Sequence, residues 1–236
     1  IGRTDWDEAC TKEINPKVQY HFCNESLRDS FYYGSWEYQH CEKHSIFMSQ
    51  AATPIKGLHF MLRAMPEILK NYPDAHLYVA GNDLTRTDSL YGKLKISSFA
   101  KYIKRLIFEY SLEEKVTFTG SLTEQKMKEH FLKSNVFVSP STIENSPNSL
   151  GEAMLLGIPC ISSDVGGVKN LLRHEEEGYV YQTDAPYMLA YYVKKIFAME
   201  KQVETLSAKG KEHAAKTHNR ERNLEVLLKI YEDVLK

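Results

Sequence analysis

Long apolar runs are the first thing missing from this 236-residue chain. None approaches the ~18 residues of a membrane-spanning helix. An excess of one charge is missing too. The 30 basic and 31 acidic residues leave a formal net charge of −1, which gives no electrostatic case for nucleic acid or an anionic membrane surface. Cysteine is scarce, and Cys10, Cys23, Cys41 and Cys160 form no C-x-x-C pair. That argues against a disulfide framework and for reduced thiols in a cytoplasmic setting. His21 with Cys23, and Cys41 with His44, have no second half at zinc-finger spacing, so no metal is expected. There is no G-x-G-x-x-G, which argues against a nicotinamide dehydrogenase, and no G-x-x-x-x-G-K-[ST], which argues against a P-loop NTPase. No repeat at solenoid periods is present. No signal peptide is legible, and the chain opens on Ile1. It is therefore expected to be a piece of a longer protein.

What the sequence does contain is alternation. Thr4 with Asp7 reads as a capping box opening a helix over 5–14. Residues 18–23 read as a short strand, and 24–33 as a polar loop or a turn of helix. Phe31, Tyr32, Tyr33, Trp36 and Tyr38 crowd one stretch and are expected to pack against another surface. From residue 45 onward, strands over 45–49, 75–80, 116–119, 136–138 and 179–181, and an apolar strand-like run that follows Pro159 and ends at Gly166-Gly167, alternate with helical patterns over 57–71, 89–110, 123–133, 146–157, 168–173, 185–199 and 203–216. Asn219 caps a last helix running to the chain's end. In the helix over 57–71, Leu58, Met61, Leu62, Met65, Ile68 and Leu69 recur at spacings of three and four, which marks a buried face. Strand–helix alternation predicts an α/β, Rossmann-like, doubly wound parallel sheet.

The stretch with most chemistry is 140–167, PSTIENSPNSLGEAMLLGIPCISSDVGG. It runs from a buried-type strand through a polar loop into a short helix, expected to be capped by Ser146 with Pro147 in the first helical position. Gly157 supplies the stop. The first helical turn leaves the backbone N–H groups of Asn148, Ser149 and Leu150 unpaired, a natural seat for a phosphate. Two carboxylates, Glu144 and Glu152, stand with seven residues between them. Glu144 precedes the phosphate seat, and Glu152 lies about two turns into the helix with its side chain tilted back toward that seat. Taken singly, each is an ordinary solvated carboxylate. A polar strand-to-helix turn is, however, where open α/β sheets bind ligands.

The pattern Glu-x7-Glu-Ala-Met-x-x-Gly-x-Pro-x-Ile followed by Gly166-Gly167 resembles the donor-binding domain of retaining glycosyltransferases of family 4, the C-terminal half of a GT-B fold. The resemblance extends over nearly the whole chain. It implies that Glu144 lies by the transferred sugar as the catalytic residue and that Glu152 holds the nucleotide ribose. Lys56 would hold the diphosphate together with the amides of Asn148, Ser149 and Leu150. Gly81 and Gly120 both end strands on the expected ligand edge, where each serves either turn chemistry or the approach of the nucleotide, and by the same analogy Leu122 touches the base. Residues 1–43 would be the tail of an N-terminal acceptor domain plus the interdomain linker, and 44–236 the donor domain with its C-terminal helices. Three positions depart from the family's usual pattern. Ala51 stands where an Arg usually precedes the Lys, Asn145-Ser146-Pro147 stands for Gly-Phe-Gly, and Glu25 stands for the Gly of an Asn-Gly turn.

The implied activity is transfer of a sugar from a nucleotide-sugar donor to a glycan or lipid-linked acceptor with retention of configuration, in bacterial surface-polysaccharide assembly. It needs no cofactor or metal, engages no nucleic acid, and has a cytoplasmic location peripheral to a membrane. A nucleotide-sugar-binding module without turnover and a GT-B-like nucleotide-sugar epimerase are the competing readings. Only the first would bind donor and convert nothing, and only the second would convert donor without an acceptor.

Overall fold

The computed structural model describes residues 1–86 and 97–235. Six strands are described: β1 (Glu42–Met48), β2 (His76–Val79), β3 (Val116–Phe118), β4 (Ser134–Ser139), β5 (Cys160–Ser163) and β6 (Tyr179–Tyr181). They form one parallel sheet in the order β3-β2-β1-β4-β5-β6. The chain first winds outward from β1 to β3, then returns to the other side of β1 and winds out to β6. The direction reverses between β1 and β4, and open parallel sheets bind ligands outside the carboxyl ends of the strands at such a point. The two central strands are the most apolar. Ile46 of β1 sits level with Val136 of β4 and Leu77 of β2, and all three are fully buried. Burial on both faces is what a parallel sheet covered by helices requires.

Those helices are α2 (Leu58–Leu69), α3 (Ser98–Glu109) and α7 (Pro186–Met199) in one layer, and α4 (Glu124–Lys133), α5 (Asn148–Leu156) and α8 (Val203–Thr217) in another. Within the layers α2 packs on α7 and α3, and α5 packs on α8 and α4. The remaining helices are α1 (Asp5–Ile14), the short α6 (Val168–Leu171) and α9 (Arg220–Val234). The capping box of α1 is formed, with Thr4 accepting from the Asp7 amide and Asp7 accepting from the Thr4 amide. Asn219 likewise accepts from the Arg222 amide to start α9. Of the helix expected over 89–110, the part before residue 97 lies outside the described residues. Among the described residues no helix is long and apolar enough to cross a membrane.

One expectation for the N-terminal segment needs correction. Residues 18–23 do not form a strand. They make a single parallel bridge, Gly2 with Phe22, closed by the Gly2 amide to the His21 carbonyl (3.0 Å) and the Cys23 amide to the Gly2 carbonyl (2.9 Å). The facing chain turns into α1 at Thr4, so there is no length left for a ladder. The aromatic cluster packs as expected for Phe31 and Trp36, and the surface it meets is the core of the sheet domain. Phe31 is fully buried, edge-on to Phe131 of α4 at 5.8 Å. Trp36 is buried as well, its indole N–H donating to the Ser134 carbonyl at 2.7 Å and its backbone N–H to the Leu156 carbonyl at 2.8 Å. Both belong to the core of the sheet domain itself, while Tyr33 stays exposed.

Candidate active site at the sheet's switch point

The loop after β1 is shaped by Gly57. Residues Pro54–Lys56 make one 3-10 turn, and Gly57 ends it in the left-handed region (φ 74°) before α2 begins. A Cβ at Gly57 would lie 1.8 Å from the Pro140 carbonyl oxygen, so only glycine lets this loop lie against the loop after β4. Lys56 is thereby aimed across the switch point. Its Nζ donates to Glu144 Oε1 at 2.6 Å. Ser141 Oγ donates to the same oxygen at 2.8 Å.

The Glu144 loop is fixed from its other side by Gly166-Gly167. Cβ atoms there would meet the Glu144 carbonyl at 1.8 Å and Thr4 Cγ2 at 2.3 Å, and the Gly167 amide donates to the Glu144 carbonyl at 3.3 Å. The Gly-Gly pair therefore serves close backbone packing behind Glu144. Gly57→Ala should destabilise the chain by about 2–4 kcal/mol, the sum of a strained backbone and a displaced loop. A urea titration against the parent measures this, and an unchanged midpoint would show that the two loops do not need their close approach.

At α5 the helix starts one residue later than expected. Pro147, extended at φ −69° and ψ 112°, occupies the cap, and Asn148 is the first helical residue. No side chain caps this end. The Leu150 amide bonds the Pro147 carbonyl at 3.0 Å, and its side chain is fully buried. Leu150 is thus removed from the set of amides facing a ligand. Asn148 and Ser149 keep backbone N–H groups with no partner among the described residues, at the positive end of the helix dipole.

Lys56, Glu144, Ser146, Pro147, Asn148, Ser149 and Glu152 line one cavity of about 530 Å³, together with Arg3, Arg28, Ser49, Gln50 and others. The sequence reading brought Lys56, both carboxylates and two of its three amides to this place. Gly81 and Leu122 are outside the lining. Gly81 (φ 118°) pairs with Gly120 (φ 74°) by mutual amide–carbonyl bonds of 3.0 and 3.1 Å beyond β2 and β3, and Leu122 packs half-buried against the core. Ala51 is buried and puts no polar atom in the cavity.

Arg28 was missed. Its Nε and Nη2 donate to Glu152 Oε1 and Oε2, both at 2.7 Å, a two-pronged ion pair. The partners are 124 positions apart, so no local pattern announces the pair. A signal existed: a carboxylate among Leu150, Ala153 and Met154 would be buried, and a buried carboxylate requires a cation. Glu152 is in fact only 3 % exposed.

One Asp-x-Asp, Asp5-Trp6-Asp7, also went unread. Asp7 is committed to structure, accepting from the Arg3 amide at 3.0 Å, Asn145 Nδ2 at 2.6 Å and the Tyr20 hydroxyl. Burial pushes its carboxyl up, but the bonds from Tyr20, Arg3, Asn145 and Thr4 outweigh that and hold it below the usual carboxylate value.

The cavity thus gathers three cations, two carboxylates and two free amides at a switch point, a set suited to an anionic ligand with hydroxyl-bearing ends. Comparison with known proteins agrees with the architecture. A family model described as "Glycosyl transferases group 1" matches residues 39–213. An uncharacterised glycosyltransferase of Methanocaldococcus jannaschii is 28% identical over 157 residues, 66% of this chain and 36% of that protein. The fold matches sucrose-phosphate synthase from Thermosynechococcus elongatus with a TM-score of 0.80 at 23% identity, covering 99% of this chain and 57% of that one. It also matches Anabaena HepE in complex with UDP-glucose with a TM-score of 0.66 at 18% identity, over 82% of this chain and 49% of that one. The chain spans less than half the length of the first curated relatives it matches, 36%, 41% and 49%.

Proposed function

The chain belongs to the group 1 glycosyl transferases, and from that premise we propose that the cavity at the start of α5 binds a nucleotide-sugar donor. The observation that carries this is the meeting of Lys56 and Glu144, 2.6 Å apart, in one cavity with the free amides of Asn148 and Ser149. Departure of a nucleoside diphosphate requires its growing negative charge to be stabilised where it develops. A lysine ammonium and a helix N-terminus do that with fixed charge and no reorganisation, without a metal. Glu144, beside that seat, stabilises the cationic anomeric centre of the sugar. Glu152 receives the ribose hydroxyls, because each carboxylate oxygen already bonded to Arg28 retains a second acceptor site.

The whole protein, in this reading, transfers the sugar with retention to a glycan or lipid-linked acceptor in cell-surface polysaccharide assembly, at the cytoplasmic side of a membrane. Residues 1–43 carry the chain from an acceptor-binding domain to the donor domain. HepE has been seen with UDP-glucose, which makes uridine diphosphate sugars the first donors to try.

The test is titration of this chain with uridine and guanosine diphosphate sugars, beside a transfer assay on a mixed acceptor panel. Binding with a dissociation constant on the order of 1 mM, about −4 kcal/mol, and no transfer are expected, since half a cleft neither excludes water nor orients an acceptor. Binding of no nucleotide sugar would remove the donor reading. Robust transfer by this chain alone would remove the assignment of the acceptor to another domain. Conversion of donor without acceptor would point to epimerisation.

A further inference from the structure

Arg28 stands outside every role assigned so far, yet it lines the same cavity as Lys56, Asn148 and Ser149. It caps the 3-10 turn Asp29–Tyr32 from an extended backbone (φ −61°, ψ 144°). Its side chain is held on two sides. One edge, Nε and Nη2, grips both oxygens of Glu152. One face of the guanidinium lies over the ring of Phe31, with Cζ 4.6 Å from the centroid. Phe31 is itself fully buried, so the platform under the guanidinium is part of the core. The remaining edge, Nη1 with two N–H donors, makes no bond among the described residues, and the side chain is 43% exposed.

The other two cations of the cavity have partners as well. Lys56 donates to Glu144. Arg3 is paired with Glu25 and also reaches Asn148 Oδ1 at 3.4 Å. Arg28 combines a position fixed by a two-pronged ion pair and an aromatic ring with an Nη1 edge that is unbonded among the described residues.

We propose that Arg28 is a donor-binding residue: its Nη1 edge takes a diphosphate oxygen of the nucleotide sugar while its other edge stays on Glu152. This rests on the donor reading above. The competing geometry is that Arg28 occupies the place of the nucleotide and must leave. That exchange is unfavourable, because ribose hydroxyls are neutral. They would leave the buried Glu152 carboxylate without its counter-charge, and removing one partner of a buried ion pair is strongly destabilising. The Phe31 platform adds a cation–π attraction that departure would also forfeit. A guanidinium already fixed by a carboxylate and an aromatic ring loses little freedom on taking a phosphate oxygen. The nucleotide therefore adds to the Arg28–Glu152 pair. Segment 24–31 becomes a wall of the donor site, although it lies outside the helices and loops of the sheet that supply the other contacts.

The test is an NMR titration of the parent chain, R28A and R28K with UDP and, separately, with uridine, with thermal melts alongside. R28A should weaken UDP at least tenfold and uridine less than threefold. R28K, which keeps a charge but not the fork, should fall between. Tighter UDP binding by R28A would show that Arg28 blocks the site, and equal weakening of UDP and uridine would show that it acts only by holding Glu152. Either result overturns the proposal, as does unchanged UDP binding. If R28A fails to fold, the comparison moves to R28A/E152Q against E152Q, where the buried carboxylate leaves with its cation. UDP must again bind more weakly without Arg28. A parent chain that binds no UDP overturns the donor reading and this inference together, whereas a parent that binds UDP with R28A unchanged overturns this inference alone.

Discussion

Phe31→Ala is expected to lower the unfolding free energy by about 3–5 kcal/mol, the usual range for emptying a phenylalanine-sized site in a core. The expectation follows from where the ring sits. Phe31 is edge-on to Phe131 at 5.8 Å, and Phe131 in turn is edge-on to Phe47 of β1 and Phe137 of β4, each at 5.1 Å. Four rings therefore run from the N-terminal segment into the two central strands. Edge-to-face pairs add to simple area burial, and the neighbours Leu27 and Trp36 are buried around them. Nothing at the end of this row is free to collapse into the space, because Phe131 is held by α4 and the others by the sheet. The measurement is a urea midpoint with unchanged slope. A loss under about 1 kcal/mol would mean that the segment frays independently of the sheet. The variant also removes the platform beneath Arg28, so nucleotide affinity should fall with stability. Residues 27–36 place Leu27, Phe31 and Trp36 in the core of the sheet domain.

Which features were legible in the sequence follows from the range of the interactions behind them. Helix α1 begins and ends where Thr4-x-x-Asp7 and Asn15 put it, because a capping box is made between residues three apart. Strand β6 was legible as Tyr179–Tyr181, a three-residue apolar run between turns. The helix at α5 was legible and its cap was off by one. Ser146 has the right side chain for a cap, but it is buried and the backbone puts Pro147 in that place. That shift costs the ligand set Leu150, whose amide closes on Pro147. Lys56, Glu144 and the α5 terminus were legible as one site through the resemblance to the family, and the strand order that reverses between β1 and β4 is what brings their loops to one edge of the sheet. The strand expected at 18–23 failed on a question that local pattern does not answer, namely whether a partner of sufficient length faces it. The partners of Arg28 and Phe31 were not legible for the same reason. One meets Glu152 and the other meets Phe131, and both contacts join segments far apart in the sequence.

The largest functional effects are expected from the two partners across the switch point, and in opposite parts of the reaction. Lys56→Ala should weaken nucleoside diphosphate binding by roughly 10- to 150-fold, the value of a charge-assisted hydrogen bond of about 1.5–3 kcal/mol. Glu144→Gln should leave that affinity unchanged or raise it. In the ligand-free chain Glu144 Oε1 sits 2.6 Å from the Lys56 ammonium, so a diphosphate must compete with a carboxylate for the same cation. Glutamine keeps the shape and a hydrogen-bond acceptor and withdraws the competing charge. The same substitution should lower turnover of the full-length enzyme by roughly 10²–10³-fold, the scale of losing one preorganised electrostatic contact to a charge that develops in the transition state. Glu144 Oε2 makes no bond among the described residues, while Oε1 is held by Lys56 and Ser141; in the proposed function Oε2 is the oxygen that faces the sugar. Lys56 thus aims the carboxylate besides the phosphate role proposed for it, and the two substitutions should not be additive. In K56A, Glu144 loses its tether, so adding E144Q should cost turnover less than it does in the parent. UDP titrations and steady-state rates on the four members of this cycle decide the matter. Equal loss of nucleotide affinity in K56A and E144Q would contradict the division of labour, and full additivity in turnover would show that the ion pair does not orient Glu144.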